Sequence, residues 1–149
     1  MSLGKTTRQP AARPTTLTDL LRAGLIALFV ASGLNLVLWA LARYLLRLPL
    51  HLPSRPGVLD LAPASPGQIV LVTALAAVGA TLVWGLLLRL TRWARPLFLI
   101  LALLVLLLSF GPLLALPITP AEQIVLGLMH VTAAVAIVAV LLRLDRASG

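Results

Sequence analysis

Four stretches of about 20 apolar residues, each free of formal charge, dictate how this chain can fold. They run Ala23–Ala42, Pro66–Leu88, Pro96–Leu116 and Gln123–Leu142. At a rise of about 1.5 Å per residue, a helix of that length spans a hydrocarbon layer about 30 Å thick. A water-soluble fold of 149 residues has no interior large enough to hide them. Composition agrees. The chain is 60% hydrophobic and 11% charged, against about 45–50% apolar and about 25% charged in soluble domains. Its mean hydropathy is +1.08. The fold class expected is all-α, an antiparallel up-down four-helix transmembrane bundle.

Local chemistry marks the helix starts. Thr16 or Thr18 can cap the first helix, and Ser65-Pro66 is an N-cap followed by proline at the first helical position. Arg95-Pro96 opens the third span in the same way. Thr119, followed three residues later by Glu122, has capping-box spacing. The expected helices cover about 18–47, 66–92, 96–116 and 120–144, joined by an outer loop of about 48–65. They form a single domain over about 16–146, after a disordered, basic cytoplasmic tail at about 1–15. The outer loop is proline-rich and reads as an ordered cap or a re-entrant stretch. The halves 1–88 and 89–149 show no internal repeat, which argues against a transporter built from inverted repeats.

The cations set the orientation. Lys5, Arg8, Arg13, Arg22, Arg89, Arg92, Arg95, Arg143 and Arg146 fall on one side, and Arg43, Arg47 and Arg55 on the other. That bias places both termini in the cytoplasm. Ala40-Leu-Ala42 resembles a signal-peptidase site, but the preceding apolar run exceeds the about 7–15 residues of a signal h-region, so an uncleaved anchor is expected. The net charge of +8 flanks apolar runs and is assigned to topology and lipid headgroups, with Arg89, Arg92 and Arg95 as the headgroup contacts. No aqueous domain is left to bind nucleic acid. The absence of cysteine excludes disulfides and thiolate metal sites.

Few polar side chains lie deep in the spans. Counted from the outer end at about 1.5 Å per residue, Asn35 lies at about 12 Å, Thr73 at about 10 Å, Ser109 at about 12 Å and His130 at about 15 Å. Each helix thus supplies one polar group at a similar depth, and Glu122 stands at the mouth above His130. These five are the candidate ligand-binding residues. Two readings of His130 stay open. It is a neutral, structural hydrogen-bonder to Ser109 or Asn35, or it is a ligand or proton site, the default for an ionisable group inside a membrane. Haem or metal is disfavoured, because no second deep histidine or carboxylate accompanies it; no cofactor and no metal ligand are expected. No carboxylate pair, GxSxG, HExxH or phosphate loop is present. A Ser109–His130 dyad lacks an orienting acid, so a non-enzymatic role is favoured and no catalytic residue is assigned.

The pieces Ala31-Ser-Gly-Leu-Asn35, Ser109-Phe-Gly-Pro-Leu113 and Leu128-Met-His130 resemble a bacterial four-helix integral-membrane family of unknown function, over roughly residues 20–144. The resemblance implies the fold and a bacterial plasma-membrane location, and carries no activity. The partners expected are the bilayer and a small molecule or a proton. The alternative is a non-catalytic scaffold or accessory subunit, with a homo-oligomer or a membrane partner protein left open.

Overall fold

The computed structural model describes residues 16–53 and 60–148. The expected tail at 1–15 lies outside them, as does Arg55 of the outer loop. The order is α1 (Leu17–Ala40), a π-helical extension (Leu41–Leu45), β1 (His51–Pro53), β2 (Leu61–Pro63), α2 (Pro66–Leu90), α3 (Ala94–Ala115) and α4 (Pro120–Ser148). The protein is an all-α four-helix bundle. All four helices are long and apolar enough to cross a membrane, which suggests a multi-pass membrane protein.

Capping fixes three of the helix starts. Thr16 accepts from the Asp19 amide, and the Asp19 carboxylate accepts from the Thr16 amide, which closes a capping box. Ser65 accepts from the Gln68 amide with Pro66 in the first turn. Thr119 and Glu122 form a second box at the start of α4. The third helix differs from expectation. It begins at Ala94, and its N-cap is Trp93, whose amide donates to Thr91 Oγ1. Pro96 then falls within the first turn, where amides have no intrahelical acceptor and a proline costs nothing.

Contacts between consecutive helices are compatible with alternating directions. Asn35, late in α1, meets Thr73, early in α2. Trp84, late in α2, stacks on Phe98, early in α3, with centroids 5.0 Å apart. Gly127, early in α4, lies under Phe110, late in α3. The α1–α2 crossing is close because it is built from small residues. Ala27, Ala31 and Ala77 are fully buried, and a Cβ at Gly24 would stand 2.8 Å from Thr81. A Cβ at Gly85 would strike Leu20. The third helix is the least covered: it buries Ala94 and Phe98 near one end and Leu113 near the other. Its exposed leucines match the acyl chains of a bilayer.

The segment between α1 and α2 folds back over one end of the bundle. The strands pair antiparallel, with His51 opposite Pro63 and Pro53 opposite Leu61. The approach to β1 places Arg47 and Leu50 in the left-handed backbone region, at φ 54° and 51°. That conformation costs a non-glycine residue about 1–2 kcal/mol. Leu50 is wholly buried, a gain of about 1.5–3 kcal/mol that offsets the strain.

Candidate functional site

The apolar core is not continuous. One cluster holds Ala23, Ala27, Ala31, Ala77, Trp84, Phe98, Ala136, Ile137 and Leu141. The other, at the hairpin end, holds Ala42, Leu50, Ala64, Ile69, Leu113, Leu126 and Met129. Between them every helix has a gap, and the sequence-selected polar residues fall in it. On α1 the gap lies between Ala31 and Leu38 and holds Ser32 and Asn35. On α2 it lies between Ile69 and Ala77 and holds Thr73. On α3 it runs from Phe98 to Phe110 and holds Ser109, and on α4 from Met129 to Ala136 and holds His130.

Hydrogen bonds join only part of this layer. Asn35 Nδ2 donates to Thr73 Oγ1 at 3.1 Å, and the Thr73 hydroxyl donates to the Ile69 carbonyl at 2.8 Å. Ser109 donates instead to the Leu106 carbonyl of its own helix at 2.6 Å. His130 Nδ1 lies 2.8 Å from the Leu126 carbonyl, also on its own helix. A carbonyl only accepts, so Nδ1 is the donor in that contact. The Phe110 ring lies 6.3 Å from the imidazole. Asn35 and Thr73 are therefore brought into a direct bond, whereas Ser109 and His130 are tied to their own backbones.

Two atoms in the layer are left over. Ser32 Oγ and Asn35 Oδ1 are buried without a hydrogen-bond partner, in residues only 6% and 5% exposed. A buried polar group in that condition costs about 1–3 kcal/mol.

Glu122 is not part of the layer. It is 2% exposed and stands in the first turn of α4, where each carboxylate oxygen has a separate task. Oε2 accepts from the Thr119 amide (3.1 Å) and hydroxyl (2.8 Å) and completes the cap. Oε1 accepts from the His51 amide (3.0 Å) and from His51 Nδ1 (2.8 Å). The carboxylate thereby latches the hairpin to α4. Gln68 donates to the Pro53 carbonyl, and Trp39 Nε1 donates to the Ala64 carbonyl, which pins both strands. His51 and Ser32 were not selected from the sequence. His51 lies 71 residues from Glu122 with no local pattern to pair them. The lack of a partner at Ser32 is visible only in three dimensions. Arg89, Arg92 and Arg95 are exposed around the α2–α3 turn, at the end of the bundle opposite the hairpin. Among the described residues no group of three or more His, Asp or Glu stands ready to hold a metal.

The fold and this layer define a class: a small four-helix membrane bundle with a polar belt between two apolar cores. The chain belongs to the family of unknown function DUF6069, whose family model matches residues 15–147. Neither the curated proteins nor the solved structures provide a match.

Proposed function

We propose that this protein binds a small polar molecule or a proton inside the membrane, at the belt formed by Asn35, Thr73, Ser109 and His130. The observation that carries the reading is the interruption of the apolar core between two clusters, with a polar residue in the gap on each of the four helices. A bundle needing only stability would fill that gap with leucine, because one interhelical polar contact contributes just about 0.6 kcal/mol. Glu122 serves the reading by holding the hairpin over the belt. The bias of nine of twelve Lys and Arg supports a plasma membrane, bacterial by resemblance, with both termini cytoplasmic. Arg89, Arg92 and Arg95 then meet anionic headgroups. A second reading, a scaffold whose belt fixes helix register, is favoured by the Asn35–Thr73 bond.

Two measurements separate these readings. The chain has two histidines, so His-labelled protein in nanodiscs gives two ¹⁵N ring patterns, assigned with His51→Gln. A belt that works as a site lets His130 exchange its ring proton with bulk solvent within the experiment, and native mass spectrometry finds a small molecule lost in His130→Ala. A His130 that is closed to exchange, in a protein carrying no small molecule, overturns the reading in favour of the scaffold.

A further inference from the structure

The belt leaves one acceptor-only atom, Asn35 Oδ1, buried and unpartnered. The hydroxyl protons of Thr73 and Ser109 are spent on carbonyls of their own helices, at 2.8 and 2.6 Å. With its proton on the Ile69 carbonyl, Thr73 Oγ1 can only accept from Asn35. That fixes the amide: Nδ2 must face Thr73, and Oδ1 is the end left over. On α4 the Leu126 carbonyl likewise takes the Nδ1 proton of His130. Ser32 lies three residues before Asn35, one turn along the same helix, where side chains are neighbours. Its hydroxyl, a donor as well as an acceptor, is also buried and unpartnered.

We infer that Asn35 Oδ1, with the Ser32 hydroxyl one turn away, holds a small hydrogen-bond donor, water or an ammonium-type cation. The inference rests on the belt being a binding site and names the class of its occupant. A donor of water size supplies a proton to Asn35 Oδ1 and another to Ser32 Oγ, which satisfies both orphaned atoms. An anion without an N–H or O–H has no proton to give Asn35 Oδ1 and would leave that atom unsatisfied. The ligand field is made of neutral dipoles, which suits a partly dehydrated monovalent cation or a neutral donor.

The test uses a feature of the sequence: Asn35 is the one asparagine in the chain. Full-length protein labelled with ¹³C,¹⁵N-asparagine in nanodiscs reports the Asn35 carboxamide as a single signal. It is titrated with ammonium chloride and with sodium formate at constant ionic strength. A saturable carbonyl shift with ammonium, weakened about tenfold or more in Ser32→Ala, supports the cation. Water cross-peaks to the carboxamide with no response to ammonium support the donor class with water as occupant. A shift with formate overturns the inference and leaves the belt as a site of another specificity. No water cross-peak and no response to either salt also overturns it, and the belt reading is then decided separately by the His130 exchange measurement.

Discussion

Replacing Glu122 by alanine removes four hydrogen bonds, and the structure ranks them. The bond from the His51 amide is the most costly to lose, because a part-buried backbone donor is left without an acceptor; about 1–2 kcal/mol goes with it. The two bonds from Thr119 are the returning half of a capping box. Thr119 still accepts from the residue-122 amide, so about 0.5–1 kcal/mol is lost there. The bond from His51 Nδ1 contributes least. The His51 side chain is 37% exposed, and water replaces the lost partner at under about 1 kcal/mol. Glu122→Ala should therefore destabilise the protein by about 2–3 kcal/mol, and His51→Ala, which keeps the backbone donor, by about 1 kcal/mol or less. Thermal denaturation in one detergent measures both, and hydrogen exchange at the Ala64 amide, bonded to Leu50, reports whether the hairpin opens. Glu122→Ala should speed that exchange far more than His51→Ala. Equal losses in the two variants would refute the reasoning, since the side-chain hydrogen bond, and not the backbone donor, would then be the latch.

Three further outcomes are expected. Gly24→Val should cost about 2 kcal/mol or more, because its Cβ would meet Thr81 at 2.8 Å, whereas Gly33→Ala, with open space around it, should be neutral or stabilise by up to about 1 kcal/mol in the same melt. The chain lacks cysteine, so single cysteines introduced at Trp93 and at Asp60 should react with an impermeant maleimide from opposite sides of the membrane, Trp93→Cys from the cytoplasm; labelling from one side would refute the topology. Reversing the charge of Arg89, Arg92 and Arg95 together should weaken retention of anionic lipid in native mass spectra, by about 1 kcal/mol per residue, without changing the melt.

What could be read from the sequence divides by range. The helices and their caps rest on runs of neighbours and on pairs three residues apart, such as Thr16 with Asp19 and Thr119 with Glu122, so they are visible in one dimension. The depth estimate picked Asn35 and Thr73, which bond across 38 residues, because both could be measured from a common membrane surface. The same estimate could not tell that His130 and Ser109 would turn to their own carbonyls, since a side chain one turn from an acceptor is free to choose it. The start of α3 was misplaced by two residues because proline is tolerated anywhere in a first turn, so Pro96 alone does not fix the boundary. The split core was invisible for a different reason. Leucine and alanine recur along every span, and only packing decides which of them meet.

The latch also orders events during synthesis. His51 leaves the ribosome 71 residues ahead of the carboxylate that will hold it. At about 5–20 residues per second, that is a delay of about 4–14 s. Through that interval the first two helices can already be inserted, while the strand pair above them lacks its anchor. The end closed by the hairpin is therefore sealed only when the fourth helix enters the membrane.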